Sequence, residues 1–459
     1  MRKFAPTPAN LTSRCKCFAA LSIMLTSVLG AQTPFAPSAQ VTGVEFGFVV
    51  DADANRFVVS SAATDQMQGK TYLFEKNTGG ISHLVTFTQT DGYVTDGFGH
   101  YVSVLADRLA IGADQHNATG AVYTYKRQNN TWIFAQKLIL PDAAMGDLFG
   151  TVKLWDNYLF VGARGKDNPL PDSGVIYVYQ HNGSQWTKIQ DIPAPAGRNF
   201  GTRIEVQNGR LISFSTENGS HLFHSFLLQD GNWTWEASSM PVGAQAGAEN
   251  FSWDGNGLHY IERVIPGTHI IKRLTPGPAG FTTQSLFSFS SFDQIYDRLV
   301  IAGDQIFIGS GGYSSGLERK FPVLVYSQGD GWNYQQTLYS QGAESVDDYF
   351  GWAMALSDNN LIIGAPFENG GKAYFVDTAA LETQTYRAKT VQVYPNPARE
   401  VLNIELDQEL ESLEVYSVAG VLCGTYKTKS PDVSQLAAGV YLLKIRTANQ
   451  LATVRFIKQ

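Results

Sequence analysis

Phe149-Gly150-Thr151-Val152-Lys153-Leu154-Trp155, then Asp156-Asn157, then Tyr158-Leu159-Phe160-Val161-Gly162-Ala163 reads as two short strands joined by a tight turn. A variable loop, Arg164 to Ser173, leads to Gly174-Val175-Ile176-Tyr177-Val178-Tyr179, a third strand. A polar hairpin follows, and Trp186 opens a fourth.

The unit recurs. Phe-Gly stands at Phe46, Phe98, Phe149, Phe200 and Phe350, and Phe251-Ser252 continues the series. Successive separations are 52, 51, 51 and 51, then 99, which leaves room for one degenerate unit. Its second strand, Asp304 to Ser310, matches Asp107 to Ala113 and puts Ile295-Tyr296 at the Phe-Gly position. The total is seven units. Turns at Ala106-Asp107-Arg108, Asn208-Gly209 and Asp358-Asn359-Asn360 occupy the same place in each, as do Trp132, Trp233 and Trp332, with Ile81 and Phe281 substituting.

Four short strands per unit, repeated at constant spacing, predict an all-β fold: a seven-bladed β-propeller over residues 40–380. Blades packing face to face need large apolar groups on both faces, and the recurring Phe, Tyr and Trp supply them. Aromatic residues make up 12% of the 459 residues and glycines number 44, a balance that suits strands and tight turns. Which segment completes the last blade stays open between residues 36–42 and 380–387.

Phe-Gly, then Ile-Gly-Ala (with Pro366 following in the seventh unit), then Gly-Ala-Val-Tyr resembles the FG-GAP repeat of integrin-α-like propellers. The resemblance is strongest in units two, three and seven. It implies a surface or adhesion role. Many such repeats carry an Asp-x-Asp-x-Asp-Gly calcium loop, and this chain departs from that. Asp51-Ala52-Asp53-Ala54-Asn55 lacks the glycine and the closing carboxylate, so it reads as a turn with solvated acids. No metal or other cofactor is expected.

After a polar linker at 381–390, residues 391–459 form a separate small unit, expected to be a β-sandwich, with alternating segments at Val401 to Leu406, Leu413 to Val418, Val440 to Ile445 and Val454 to Ile457. Tyr394-Pro395-Asn396-Pro397, Val415 to Gly420, Asp432 to Leu436, Gly439-Val440-Tyr441 and Phe456-Ile457-Lys458-Gln459 strongly resemble the type A C-terminal sorting domain of the Bacteroidota type IX secretion system. That resemblance implies handling by the type IX machinery and a sortase, with Tyr394, Pro395, Asn396, Pro397, Gly420, Gly439 and Lys458 in the sorting signal. The destination is the medium or the outer cell surface, by way of the periplasm.

Residues 1–31 read as a signal peptide, with Arg2, Lys3, Arg14 and Lys16 before the apolar run Cys17 to Leu29 and small residues at Gly30-Ala31. No other stretch is apolar enough to span a bilayer, so the mature chain is expected to be exported and to have no transmembrane segment. Cys15 and Cys17 leave with the leader. Cys423 remains, which excludes an internal disulfide, and it reads as a small buried apolar residue. The net charge of −7 argues against a polyanion partner, and with no basic run or stripe nucleic acid is not expected.

In this architecture the loops between second and third strands share one face with the loops that lead into the first strands, and function concentrates on such loops. Asp65, His116, Arg164, Lys166, Asp167, Tyr313, Glu318, Arg319, Phe367 and Glu368 are the candidate ligand contacts. Acids two residues before the Phe (Asp96, Asp147, Glu249 and Asp348) read better as turn carboxylates accepting local N–H groups than as a ring of cation ligands. His221 and His224 are spaced to point to opposite faces of a strand, not to share a metal. No His-Glu-x-x-His, Gly-x-Ser-x-Gly, P-loop or dinucleotide fingerprint is present, and no catalytic residue is assigned. The expectation is a non-catalytic surface protein that binds a glycan or a protein. A structural surface-layer component and a polysaccharide-acting enzyme are the alternatives.

Overall fold

The computed structural model describes residues 32–35, 45–61, 69–243, 250–264, 268–290, 294–313, 321–340, 348–368, 370–382, 392–405, 410–417, 422–447 and 451–459. The signal-peptide reading therefore lies outside the described residues, as do Asp65, Glu249, Glu318, Arg319 and Gly420. The chain divides into two compact units, Met1–Leu381 and Glu382–Gln459.

The first unit is built from seven antiparallel sheets, each a path of four strands, six of them in sequence order, with Val242–Gly243 added beside the third strand of the fourth sheet. The first strands are Phe46–Asp53, Phe98–Leu105, Phe149–Trp155, Ile204–Gln207, Ser252–Trp253, Gln294–Ala302 and Ala353–Ser357. Residues from all seven line one central cavity, so the sheets are blades around an axis. Apart from two short 3-10 turns, the described helix is Thr378–Glu382 alone.

The seventh blade is closed from the other end of the chain. Gln32–Phe35 pairs antiparallel with Lys372–Asp377, placing Gln32 opposite Val376 and Phe35 opposite Ala373. This corrects both segments proposed from sequence: the closing strand lies before residue 36, and Thr378–Glu382 is helical. Leu381 is buried with the seventh blade's core, so the propeller also exceeds the expected limits of 40 and 380.

Glycines set the spacing between blades. A Cβ on Gly162 would fall 2.1 Å from the carbonyl oxygen of Gly201, and one on Gly112 would fall 1.9 Å from that of Gly150. The same contact joins Gly364 of the last blade to Gly47 of the first, at 2.0 Å, which completes the ring. The Ile-Gly-Ala glycine of one unit thus meets the Phe-Gly glycine of the next, an approach that no side chain allows. In the first blade Ser60 stands at that place and its hydroxyl donates to Gly99 O at 2.7 Å.

Side chains bridge neighbouring first strands as well. Ser103 Oγ accepts the Leu154 N–H, and Ser252 Oγ accepts that of Ile301. Asp51 and Asp53 do the same for Val104 and Ala106 at 2.8 and 2.6 Å. These acids are therefore not solvated turn residues as expected; they tie blade one to the main chain of blade two.

The second unit packs Gln392–Tyr394 with Asn403–Glu405 and sets a four-stranded sheet beside them. Both sheets share one apolar cluster, including Ile404, Leu413, Val415, Leu443 and Phe456. Cys423 is exposed, contrary to the sequence reading, because Leu422–Tyr426 is an edge strand with one face uncovered.

Candidate functional site

The central cavity has a volume of about 930 Å³. Two residues beyond each phenylalanine, the chain supplies Phe48, His100, Thr151, Thr202, Trp253 and Trp352, and all six line this cavity. In the sixth blade a register shift around Tyr296 brings Arg298 to the wall. These residues form the cavity's Phe-Gly mouth.

Blades six, seven and one carry an aromatic shelf there. Phe367, 42% exposed, meets Tyr349 edge to face at 5.0 Å. Tyr349 stacks on buried Phe321 at 4.3 Å and meets Trp352 at 5.6 Å, and Trp352 lies 5.7 Å from Phe48. Tyr349 adopts a positive φ of 51°, and the residues before the other Phe-Gly pairs (Glu45, Gly97, Leu148 and Asn199) are left-handed too. The turn into the first strand is thus fixed in these five blades, and the seventh blade uses it to place a tyrosine.

Cations adjoin the shelf. The Arg298 guanidinium sits 4.9 Å from the Trp352 ring centre and donates to Asn250 Oδ1. The Arg203 guanidinium lies 5.3 Å from the Phe251 ring centre and pairs with Glu205 at 3.0 Å. Across the mouth, Arg164 donates to Tyr101 Oη and pairs with Asp114 at 3.0 Å, while His100 Nδ1 lies 2.9 Å from the same carboxylate. Burial works to raise Asp114, but His100 and Arg164 outweigh it and hold the carboxyl below its usual range.

Deeper in the cavity, Lys153 pairs with Glu205 at 3.1 Å. Burial opposes both charges. Lys153 and Arg203 nevertheless hold Glu205 below its usual range, and Glu205 with Asp51 holds Lys153 above its own. Asp51 is pushed up by burial, which Lys153 only partly offsets.

The sequence candidates divide. Arg164 lines the cavity and Phe367 forms the outer end of the shelf. Asp167 is exposed, its Oδ1 accepting the Asp172 N–H within its own loop. Lys166 reaches back to Asp142 and Asp147. His116 and Glu368, 2% and 0% exposed, are closed off from any ligand and act as internal struts, a correction to their reading as contacts. Tyr313 ends the strand Gln305–Tyr313, and its side chain lies outside the described residues.

Asp96, Asp147 and Asp348 accept the N–H groups of Tyr93, Ala144 and Phe350, the local role expected of them. His224 packs on Phe200 while His221 packs on Phe214, on opposite faces of their strand. Sequence reasoning missed Phe48, His100, Arg203, Trp253, Arg298, Tyr349 and Trp352. Aligning the units on Phe-Gly and reading two positions further would have found most of them.

In the second unit, Tyr394 is half exposed and both Pro395 and Pro397 follow cis peptide bonds. Asn396 Oδ1 accepts the Ile457 N–H, so this segment is tied to the last strand, Leu451–Lys458. Lys458 is buried and donates to Gln459 O, while Gly439 opens the strand paired with it.

The FG-GAP repeat family matches residues 132–179 and 332–376, and the secretion system C-terminal sorting domain matches residues 392–459. Each FG-GAP match begins at a Trp-led outer strand and runs through three strands of the next blade, so the sequence unit straddles two blades. No curated protein matches the chain. Among solved structures, the β-propeller domain of the Trilobed protease from Pyrococcus furiosus aligns with a TM-score of 0.45 at 7% identity, covering 73% of this chain and 96% of its own. A protein from Lactobacillus plantarum aligns with a TM-score of 0.44 at 10% identity, covering 82% and 95% respectively.

Proposed function

We propose that this FG-GAP β-propeller protein, exported by the type IX secretion system to the cell surface or beyond through its C-terminal sorting domain, is a non-catalytic binder of extracellular glycans. The aromatic shelf from Phe367 through Tyr349 and Trp352 to Phe48 carries this reading. Phe367 is exposed and Tyr349, Trp352 and Phe48 are partly buried; aromatic faces on a rigid frame offer apolar area at low entropy cost, which suits the C–H faces of sugar rings. Surrounding hydroxyl and amide groups from Thr151, Asn199, Thr202 and Asn250 supply hydrogen bonds for sugar hydroxyls. Among the described residues, no helix is long and apolar enough to cross a membrane.

A glycan array probed with the whole mature chain, with calcium and again with chelator, tests the proposal. Saturable binding that Phe367→Ala weakens about tenfold, roughly 1.4 kcal/mol, supports it. Absence of binding to any glycan, or binding indifferent to Phe367→Ala, overturns it. Loss with chelator identifies a metal in the site.

A second reading, a structural surface-layer component, draws on the outer rim. Phe134, Trp235 and Tyr334, each two residues beyond a blade's tryptophan, are 56%, 58% and 55% exposed. Self-association that disappears in the triple alanine variant would favour that role.

A further inference from the structure

We infer that the sugar held at the Phe-Gly mouth carries an acetamido group, which makes the ligand an N-acetylhexosamine glycan, and that a side pocket between blades four and five receives that group. The inference rests on the glycan-binding reading and narrows it to one ligand class. Most of the cavity wall comes from first strands and the residues just before them. In blade four it also reaches Phe214 and Thr216 on the second strand, Arg210–Glu217, and His221 on the third, Ser220–Gln229. The adjoining first strand is cut short here: Ser252–Trp253 spans 2 residues, whereas Phe98–Leu105 spans 8. The cavity branches between the two blades at that place.

The branch is apolar on one side and rich in donors on the other. Phe214 and Trp253 belong to one buried apolar cluster, and His221 meets Phe214 edge to face at 5.0 Å. Arg203 Nε, Asn250 Nδ2 and Trp253 Nε1 are buried in the wall and find no acceptor among the described residues. The Arg203 guanidinium lies over the ring of Phe251, which stands between Asn250 and Trp253 in the chain, so the three donors share one corner. Acceptors beside them are already engaged. Asn250 Oδ1 receives Arg298, Ser252 Oγ receives the Ile301 N–H, and Glu205 receives Lys153 and Arg203. A sugar hydroxyl entering this corner would bring a donor of its own that these engaged acceptors do not meet. A carbonyl brings acceptor capacity alone, and its lone pairs relieve donors that are costly when left unmet. The charge of Arg203 is met by Glu205 at 3.0 Å, so a neutral carbonyl suits the corner better than a carboxylate. An acetamido group supplies that carbonyl together with a methyl for the faces of Phe214 and Trp253. At the rim, Asn199 Nδ2 donates to Thr216 Oγ1, which leaves Asn199 Oδ1 to accept the amide N–H.

Titration calorimetry of the whole mature chain tests this with chitotriose, a trimer of N-acetylglucosamine, and cellotriose, the glucose trimer of the same linkage with hydroxyls in place of the acetamido groups. Binding of chitotriose, about tenfold weaker binding of cellotriose, and little dependence on salt are expected. Trp253→Phe keeps an aromatic ring and removes the Nε1 donor, while Asn250→Asp replaces the Nδ2 donor with an acceptor. Each should remove most of the preference for chitotriose, whereas Phe367→Ala should weaken both trimers alike. Circular dichroism melts confirm that each variant is folded. Array binders that all carry an acetamido group also support the inference. Equal affinity for the two trimers, or preference for cellotriose, overturns it while leaving glycan binding intact. So do array binders that lack acetamido groups, a preference that survives both Trp253→Phe and Asn250→Asp, or a galacturonic acid trimer that outcompetes chitotriose. If neither trimer binds and the glycan array is silent, both readings fall.

Discussion

His116 Nδ1 lies 2.5 Å from Asp96 Oδ2, and neither side chain is more than 4% exposed. His116 occupies the fourth position after Gly112, as Lys166 does after Gly162 and Glu368 after Gly364. In blade three the partner at the acid position is Asp147, 3.1 Å from Lys166. In blade seven Glu368 instead receives the Tyr374 hydroxyl and the Lys372 ammonium. Asp348 there is pushed up by burial, with Glu368 adding to the effect. One place in the repeat therefore serves as an interior strut with three different chemistries.

His116→Ala should accordingly cost stability and spare binding. Gln89, Asp96, Lys137 and Asn117 all meet this imidazole, and removing it leaves a buried carboxylate short of a partner. The expected loss is about 3 kcal/mol, read from urea denaturation, with glycan affinity unchanged within twofold. Weaker binding at unchanged stability would restore His116 as a ligand contact.

Two other histidines make stability depend on pH. His224, held between Ser215 and Ser238 hydroxyls, is pushed down to about 4 by burial. His259 is also lowered to about 4 by burial, against the opposing pull of Asp254. Below the ordinary histidine value of 6.5 the unfolded chain takes up protons that these native sites refuse. Stability therefore falls as pH drops from 6.5 towards 4 and is fully present above that window. Each site contributes on the order of 3 kcal/mol across it. Melting temperature measured against pH should decline through this window, and less steeply in His224→Gln. A flat profile would contradict the burial of both neutral imidazoles.

The blades were legible because their packing demands recur at fixed spacing: a phenylalanine to bury, a glycine to let the next blade approach, a tryptophan on the outer strand. The interior struts were not. His116 and Glu368 look like loop residues in sequence, but both are buried: His116 where its loop returns onto Asp96, and Glu368 where it receives Tyr374 and Lys372. The left-handed turn before the five Phe-Gly pairs is announced by Gly97 and Asn199 but hidden at Leu148 and Tyr349, where tertiary packing overrides local preference. The mouth residues sit at one repeat position whose identity varies from Thr151 to Trp352, and variation within a constant frame was the available sign of function. Arg298 escapes even that reading, because a bulge in its strand shifts it by one position.

The closing strand offers a last test. Gln32–Phe35 supplies the outer edge of blade seven, the place that Trp-led strands fill elsewhere. Without it, Lys372–Asp377 would present a bare edge carrying Ala373, Tyr374, Phe375 and Val376, an apolar template for pairing with other chains. Replacing Thr33 and Phe35 with proline removes two ladder donors. With about 0.5–1.5 kcal/mol for each lost bond and further loss from the uncovered strand, the propeller should lose on the order of 3 kcal/mol. Light scattering should show concentration-dependent association, and an added peptide of residues 32–35 at high concentration should suppress it. If the proline variant stays monomeric with an unchanged melting temperature, the ring is held by the glycine contact between Gly364 and Gly47 and by its core alone, and the strand is dispensable to closure.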